Sequence, residues 1–425
     1  MSILKNAGIA SLVALAPVQT LADSETPTSS ASAEIAGWDE FTDRLKALGP
    51  KMLSLLPESM RDDPHIRQEV ARLMLESVAA GAIGAISEDP DHPVFLPALN
   101  QTLNVGQPNA DTTYKRATIT PGGSYRLRGK LGNVRIAKIG QMGSNPKNPA
   151  AVEILGYDDL NSLTVDDKGN YDVILSPDRP QGYAGDWWKL NPQSNRLLLR
   201  MVSADWNTET DPTISIERLD APATKPRLSQ ESLEQSLRKL PNVVDQMAML
   251  LLNHVPQLVA EGYLHKFKVF DVEQIGGQLD GQFYYETAYD LADDEALIIE
   301  NRVPETCGYY SMILTNGIFE TTDWYNNHSS LNDAQLNIDD DGILRIVVSA
   351  QDPGIANWMD TAGYPQGAIQ GRWTDCSDQP MPSVRKVSLD QVLQHLPAST
   401  PKVSASQREE IIRDRRARLQ QRSLW

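Results

Sequence analysis

The stretch Tyr114–Ile139, YKRATITPGGSYRLRGKLGNVRIAKI, decides the fold class. Apolar residues recur at every second position in Tyr125 to Gly129 and Val134 to Ile139, the period of a half-buried strand. Pro121 and the glycines cut the runs short, as hairpins require. The same texture continues through a turn at Asp166–Asn170, then Trp187-Trp188, Leu197–Val202 and Thr213–Glu217, so residues 111–220 read as a first β domain. It resumes near Phe267 with Phe283–Tyr285, Ala296–Glu300, Tyr309–Leu314 and Ala368–Trp373. Asp341-Gly342 marks a hairpin tip within Leu336–Val348, and residues 263–400 read as a second β domain.

Around these lie helical patterns. Trp38–Leu56 and His65–Ile86, with Val70, Leu73, Leu75 and Ala79 near one face, form an N-terminal layer that follows a flexible start, together residues 23–110. Residues 221–262 hold a proline-bearing linker and bridging helices, the first capped by Ser229 and the second expected to begin at Pro241. The tail, 401–425, is a helix with Ser406 and Glu409 at capping-box spacing. Its arginines Arg413, Arg415, Arg416, Arg418 and Arg422 read as a solvated face, with an anion or partner site as the alternative. The expected fold is mainly β with flanking helices: two β sandwiches bridged by a helical segment.

The chain carries 39 basic and 56 acidic residues, a net charge of −17, which argues against nucleic acid or an anionic membrane as the main partner. Lys5, the apolar run Ala7–Ala16 and the small residues before Asp23 read as a signal peptide over 1–22, placing the protein in the periplasm or outside the cell. No later segment is expected to span a membrane. Cys307 and Cys376 either pair in an oxidising compartment or are two isolated thiols.

The familiar catalytic and nucleotide-binding signatures are missing, and the six histidines are scattered, so no zinc site and no cofactor is expected. Asn337–Gly342 begins like a calcium loop, but position twelve is Val348 in place of the closing glutamate, and a hairpin tip explains it without metal. Asn109–Tyr114, NADTTY, offers Asx turns at a strand entry or groups that hold a ligand. Arg200 and Asp205 suggest an internal ion pair. Trp324–Asn332 is polar yet aromatic, and His328 is its candidate general acid or base, because a free imidazole titrates near neutrality. Asp352–Trp373, DPGIANWMDTAGYPQGAIQGRW, is either a plugged corner or a site rim in which Asp360 pairs with Arg372.

These residues together resemble the paired bacterial domains of unknown function numbered twelve-fifty-four and twelve-fourteen. NADTTY is similar to a signature of the first. YYSMILTNGIFETTDWYNNHSSLN, then DDDG, then DPGIANWMDTAGYPQGAIQGRW are similar to the aromatic strand, hairpin and Asn-Trp loop of the second. The resemblance covers most of residues 60–400 and implies a jelly-roll-like second domain and export; it supplies no catalytic residue.

The expected function is binding of a small sugar-like or ring-containing ligand in a cleft of the second β domain. Trp324, Trp358 and Trp373 would stack on it, and Asn327, Asn357 and Arg372 would orient it. If chemistry occurs, His328 moves the proton with Asp360 beside it. The alternative is a non-catalytic interaction module of the cell envelope.

Overall fold

In the quoted stretch, alternation becomes burial: Tyr125 and Leu127 are sealed while Arg126 and Arg128 stay at the surface. The computed structural model describes residues 35–144, 152–271 and 278–423, so the expected signal peptide lies outside the described residues. The strands of the first half are β1 (Leu96–Pro97), β2 (Thr112–Thr118), β3 (Tyr125–Lys130), β4 (Ile136–Ser144), β5 (Val152–Asp159), β6 (Asn170–Ser176), β7 (Asp186–Lys189), β8 (Arg196–Val202) and β9 (Ser215–Arg218). They form one sheet in the order β1-β2-β8-β4-β5 and another in the order β7-β6-β3-β9. Tyr125, Leu127, Val173, Leu197 and Leu199 fill the space between. Each such leucine contributes about 1.5–3 kcal/mol by leaving water.

The second half has β10 (Lys268–Val269), β11 (Gln282–Asp290), β12 (Glu295–Arg302), β13 (Tyr309–Leu314), β14 (Ser330–Asn332), β15 (Ile343–Ser349), β16 (Trp358–Asp360), β17 (Gln366–Thr374) and β18 (Ser383–Ser388). Its sheets run β10-β11-β17-β13-β14 and β16-β15-β12-β18. This is the first sandwich's order with every strand number raised by nine, down to the single parallel pair, β6 with β7 and β15 with β16. The two halves therefore share one topology. Within the second core Gly371 is obligatory in practice, since a Cβ there would lie 2.2 Å from the ring of Tyr285. Cys307 and Cys376 form a disulfide.

The helices are α1 (Trp38–Leu55), α2 (Glu58–Arg61), α3 (Pro64–Ser87), α4 (Gln230–Met249), α5 (His254–Ala260) and α6 (Ala405–Leu419). Asp63 caps α3 and Ser229 caps α4. Pro241 does not start a helix but lies inside α4. Close packing holds that helix through the lost hydrogen bond: Leu240 and Val244 press on α3 at Gly81, where a Cβ would meet Leu240 at 2.8 Å. Val70 and Leu73 face this helical core, whereas Leu75 is 72% exposed on the other side of α3. Among the described residues α3 is long and apolar enough to cross a membrane. Its packing against α1 and α4 accounts for that composition. The capping box of α6 is Ser404 with Gln407, two residues earlier than its spacing suggested.

Candidate functional site

The two five-stranded sheets turn their outer faces towards each other. Asp111, 1% exposed, accepts from the Tyr309 hydroxyl at 2.6 Å and from the Asn332 amide at 2.7 Å, across the two halves. Asn109 donates to the same hydroxyl at 2.9 Å. The NADTTY turn thus fastens sandwich to sandwich. Burial raises the Asp111 carboxyl above its ordinary range, and the hydrogen bonds from Tyr309 and Asn332 oppose that shift. An apolar patch of Ile136, Val202, Leu279 and Tyr309 seals this end of the interface.

Further along, the faces part around a cavity of about 300 Å³. One wall is the first sandwich, through Tyr114 and Arg116 of β2 and Arg196, Leu198 and Arg200 of β8. The facing wall is the second, through Tyr284 of β11 and Gln370 and Arg372 of β17. Met247 at the end of α4, Leu250 and Leu251 just beyond it, Phe270 and Phe319 make an apolar roof. Alternation explains the composition: the inner residues of β8 are Leu197, Leu199 and Met201, and the outer ones are free to be basic.

Four arginines line the cavity, and among the described lining residues there is no aspartate or glutamate. Arg116 is held by Glu88 at 3.2 Å and by the carbonyl of Ala80. Burial pushes its guanidinium below the ordinary value; Glu88 opposes that shift, and the neighbouring Arg196 adds to it. Arg372 is only 4% exposed, yet among the described residues it has no ion pair. It lies over the Tyr284 ring, 5.4 Å from the centroid, and donates to Gln370 at 2.9 Å. The Nε atoms of Arg196 and Arg372 and the amide nitrogens of Gln107 and Gln370 are buried donors with no acceptor among the described residues. Burial raises the Tyr284 phenol, while Arg372 and Arg200 both pull it down, so two guanidiniums from opposite sandwiches act on one hydroxyl.

The backbone is also forced here. Gln107 and Phe319 have φ of +58° and +67°, and both line the cavity. A left-handed phenylalanine is a true outlier, and such conformations gather at functional sites. Asn316 holds the Phe319 turn, its side-chain oxygen accepting from Ile318 and Glu320 at 3.1 and 3.0 Å.

The structure disperses most of the residues that the sequence suggested. Of the residues expected to bind a ligand or move a proton in the second domain, Arg372 alone lines this cavity. Trp373, its neighbour, points the other way into the second core, as successive strand residues must. Trp324, Trp358 and Trp373 belong to three different packing clusters. Trp358 lies on β16 and donates to Ser349 at 2.9 Å. Asn357 is occupied by the backbone of Asn337 and Arg345, and Asn327 by the carbonyl of Asp323. His328, 4% exposed, is lowered to about 3 by burial first and then by Arg415 and Arg408, so it is neutral at physiological pH and is not poised for proton transfer. Asp360 accepts from the amide of Ala362 and forms no pair with Arg372. Asp205 accepts from Thr208 at 2.7 Å, while Arg200 turns to the cavity. Asp339 and Asp341 of the Asp339–Gly342 turn are engaged by Arg345, at 2.8 Å and 2.7 Å.

Gln107, Arg196 and Arg200 escaped the sequence reading as site residues, and Tyr114 and Gln370 entered it only inside longer stretches. For Arg196 and Arg200 the signal was two arginines four residues apart, hence on one face, in an otherwise aliphatic strand.

In structure the chain is similar to an uncharacterized protein from Burkholderia cenocepacia, with 28% identity over 84% of this chain and 98% of that one and a TM-score of 0.74. It is also similar to the VPA0106 protein from Vibrio parahaemolyticus, with 12% identity over 75% of this chain and 98% of that one and a TM-score of 0.39. No family model matches the chain, and no curated protein does.

Proposed function

We propose that this protein binds a small organic anion with an apolar body in the cavity between its sandwiches. The observation that carries this reading is Arg372, a buried guanidinium with a bare Nε at a cavity that no acid lines among the described residues. A charge buried without an ion-pair partner carries a desolvation cost that its contacts with Gln370 and Tyr284 only partly offset, so a fold that keeps one has a use for it. The roof of Leu250, Leu251, Phe270 and Phe319 supports an apolar body, and the volume lies at the small end of ligand pockets. Among the described lining residues there is no histidine, cysteine, lysine, serine or carboxylate, which supports binding over catalysis by side chains. Export remains part of the proposal, and the Cys307–Cys376 disulfide supports it, since such bonds persist in oxidising compartments.

A thermal-shift comparison of sodium octanoate, 1-octanol and glucose tests the reading on the purified protein. Octanoate is expected to raise the Tm in a concentration-dependent way, and octanol and glucose are not. Equal shifts from octanoate and octanol would sink the anion reading. A shift from glucose alone would favour a sugar site.

A further inference from the structure

The repeated topology places the same pair of residues at the same place in both sandwiches. In the first, Thr112 of β2 opposes Val202 of β8, and two residues in from that end Tyr114 opposes Arg200. In the second, Gln282 of β11 opposes Thr374 of β17, and two residues in Tyr284 opposes Arg372. Both pairs sit on the outer face of the equivalent sheet, and all four residues line the one cavity. A directly opposed cross-strand pair has Cβ atoms about 5 Å apart, so each tyrosine shares its arginine's end of the wall. The two guanidiniums line that cavity from opposite sandwiches, and Arg372 lies over the Tyr284 ring.

This arrangement is more than one carboxylate needs. A carboxylate is planar, and one guanidinium fork in its plane already engages both of its oxygens. Here two forks approach from opposite sandwiches, with two phenols beside them and the Gln370 amide nitrogen still without an acceptor. Donors arriving from two walls fit a head group whose oxygens point in more than one direction. Guanidiniums on two walls attract a dianion more strongly than a monoanion.

We infer that the anion is tetrahedral and doubly charged, a phosphate monoester or phosphonate on a small apolar body, clamped between the Tyr114–Arg200 and Tyr284–Arg372 pairs. The inference rests on the reading of the cavity as an anion site and adds the charge and shape of the head group. The sandwiches then act as two halves of one clamp, each contributing one tyrosine and one arginine.

Calorimetric titration with four six-carbon probes separates the two ideas: n-hexyl phosphate, n-hexyl sulfate, hexanoate and 1-hexanol. Hexyl phosphate is expected to bind at least tenfold more tightly than hexyl sulfate, which has the same shape and half the charge. That advantage should shrink towards unity between pH 7.5 and pH 5, because the second ionisation of a phosphate monoester lies near 6. Arg200→Met and Arg372→Met should each remove most of the advantage while leaving hexanol unaffected. If sulfate or hexanoate matches phosphate at pH 7.5, the doubly charged head group is wrong and the anion site stands. If hexanol matches all three, the anion site itself is wrong. The wild-type panel decides between these outcomes even if a variant fails to fold.

Discussion

Two regions of this protein bury arginine beside aromatic rings, and they use it in opposite ways. In the corner under α6, Arg415 donates to the carbonyls of Trp324 and Ser330 and lies 4.7 Å from the Trp206 ring centroid. Nearby, Arg408 is bound to Asp352 at 2.9 Å and to the carbonyl of Ile355, over Trp358. Beyond them Arg422 ties the tail to Asp211 and to backbone carbonyls of Asp111 and Met201 in the first sandwich. Of the arginines expected to form a solvated face, Arg413 and Arg416 are exposed, whereas Arg415 is buried and Arg422 straps the tail down. In the cavity, Arg372 is as buried as Arg415, at 4% against 5%, but holds only a side-chain amide and the face of Tyr284. Burial alone does not separate a structural arginine from a receptive one. The partners do.

The largest effect should expose this contrast. Arg415→Ala leaves buried carbonyls without donors and should destabilise the fold by about 3–5 kcal/mol in chemical denaturation. Burial lowers the Arg415 guanidinium to about 10, which leaves it charged and strongly bonded at neutral pH. Arg372→Met removes a desolvated charge that has no ion pair, and it should be neutral or stabilising by up to about 1 kcal/mol. Similar losses from the two substitutions would erase the distinction drawn here.

The next effect concerns the turn that carries Phe319 to the cavity. Its neighbour Glu320 is raised to about 8, chiefly by burial, with Glu76 and Glu69 adding and Asn316 and Arg72 opposing. Folded protein therefore keeps a proton that the unfolded chain gives up above its ordinary value of 4.5. The stabilisation is complete below that value and is lost as pH rises through about 8. Glu320→Gln preserves an acceptor for the Asn316 amide, now 2.7 Å from Glu320. Its Tm should fall less between pH 6 and pH 9 than that of wild type, by a difference on the order of a few kcal/mol in stability. Parallel Tm profiles would show that Glu320 does not titrate in this window. The cavity side of the molecule would then carry less stored cost than its geometry suggests.

The contrast also explains what could be read from the sequence. The strands, the helical layer and the capping of α4 follow from local period and local chemistry, and they were legible. The corner was half legible: two tryptophans and tight turns announced packing, but nothing local said that α6 would supply the arginines. The cavity was least legible, because its walls are the outer faces of two sheets far apart in the chain. Arg372 and Trp373 adjoin in sequence and point to opposite sides of β17. Reading them as one cluster joined a wall of the cavity to the core behind it. Seeing Tyr114 with Arg200, and Tyr284 with Arg372, requires the register of strand pairs, which a single sequence does not print.

The smallest effect sharpens the comparison most finely, because it tests backbone and not charge. Gln107 follows Gly106, which also has a positive φ of 83°, and a Cβ on Gly106 would meet nothing within 4 Å. The turn is therefore open in space, and the strain at Gln107 comes from its own left-handed conformation. Gln107→Gly relieves that conformation at the price of more freedom in the unfolded chain. The amide that is lost has no protein acceptor for its nitrogen, so no bond from it is broken. The net change in stability should be a gain of no more than about 1 kcal/mol, read from the denaturation midpoint. Affinity for hexyl phosphate should fall at the same time, if the bare amide nitrogen faces the ligand. A clear loss of stability would mean that Gln107 belongs with Arg415 as a structural residue, and the cavity would have one donor fewer than proposed.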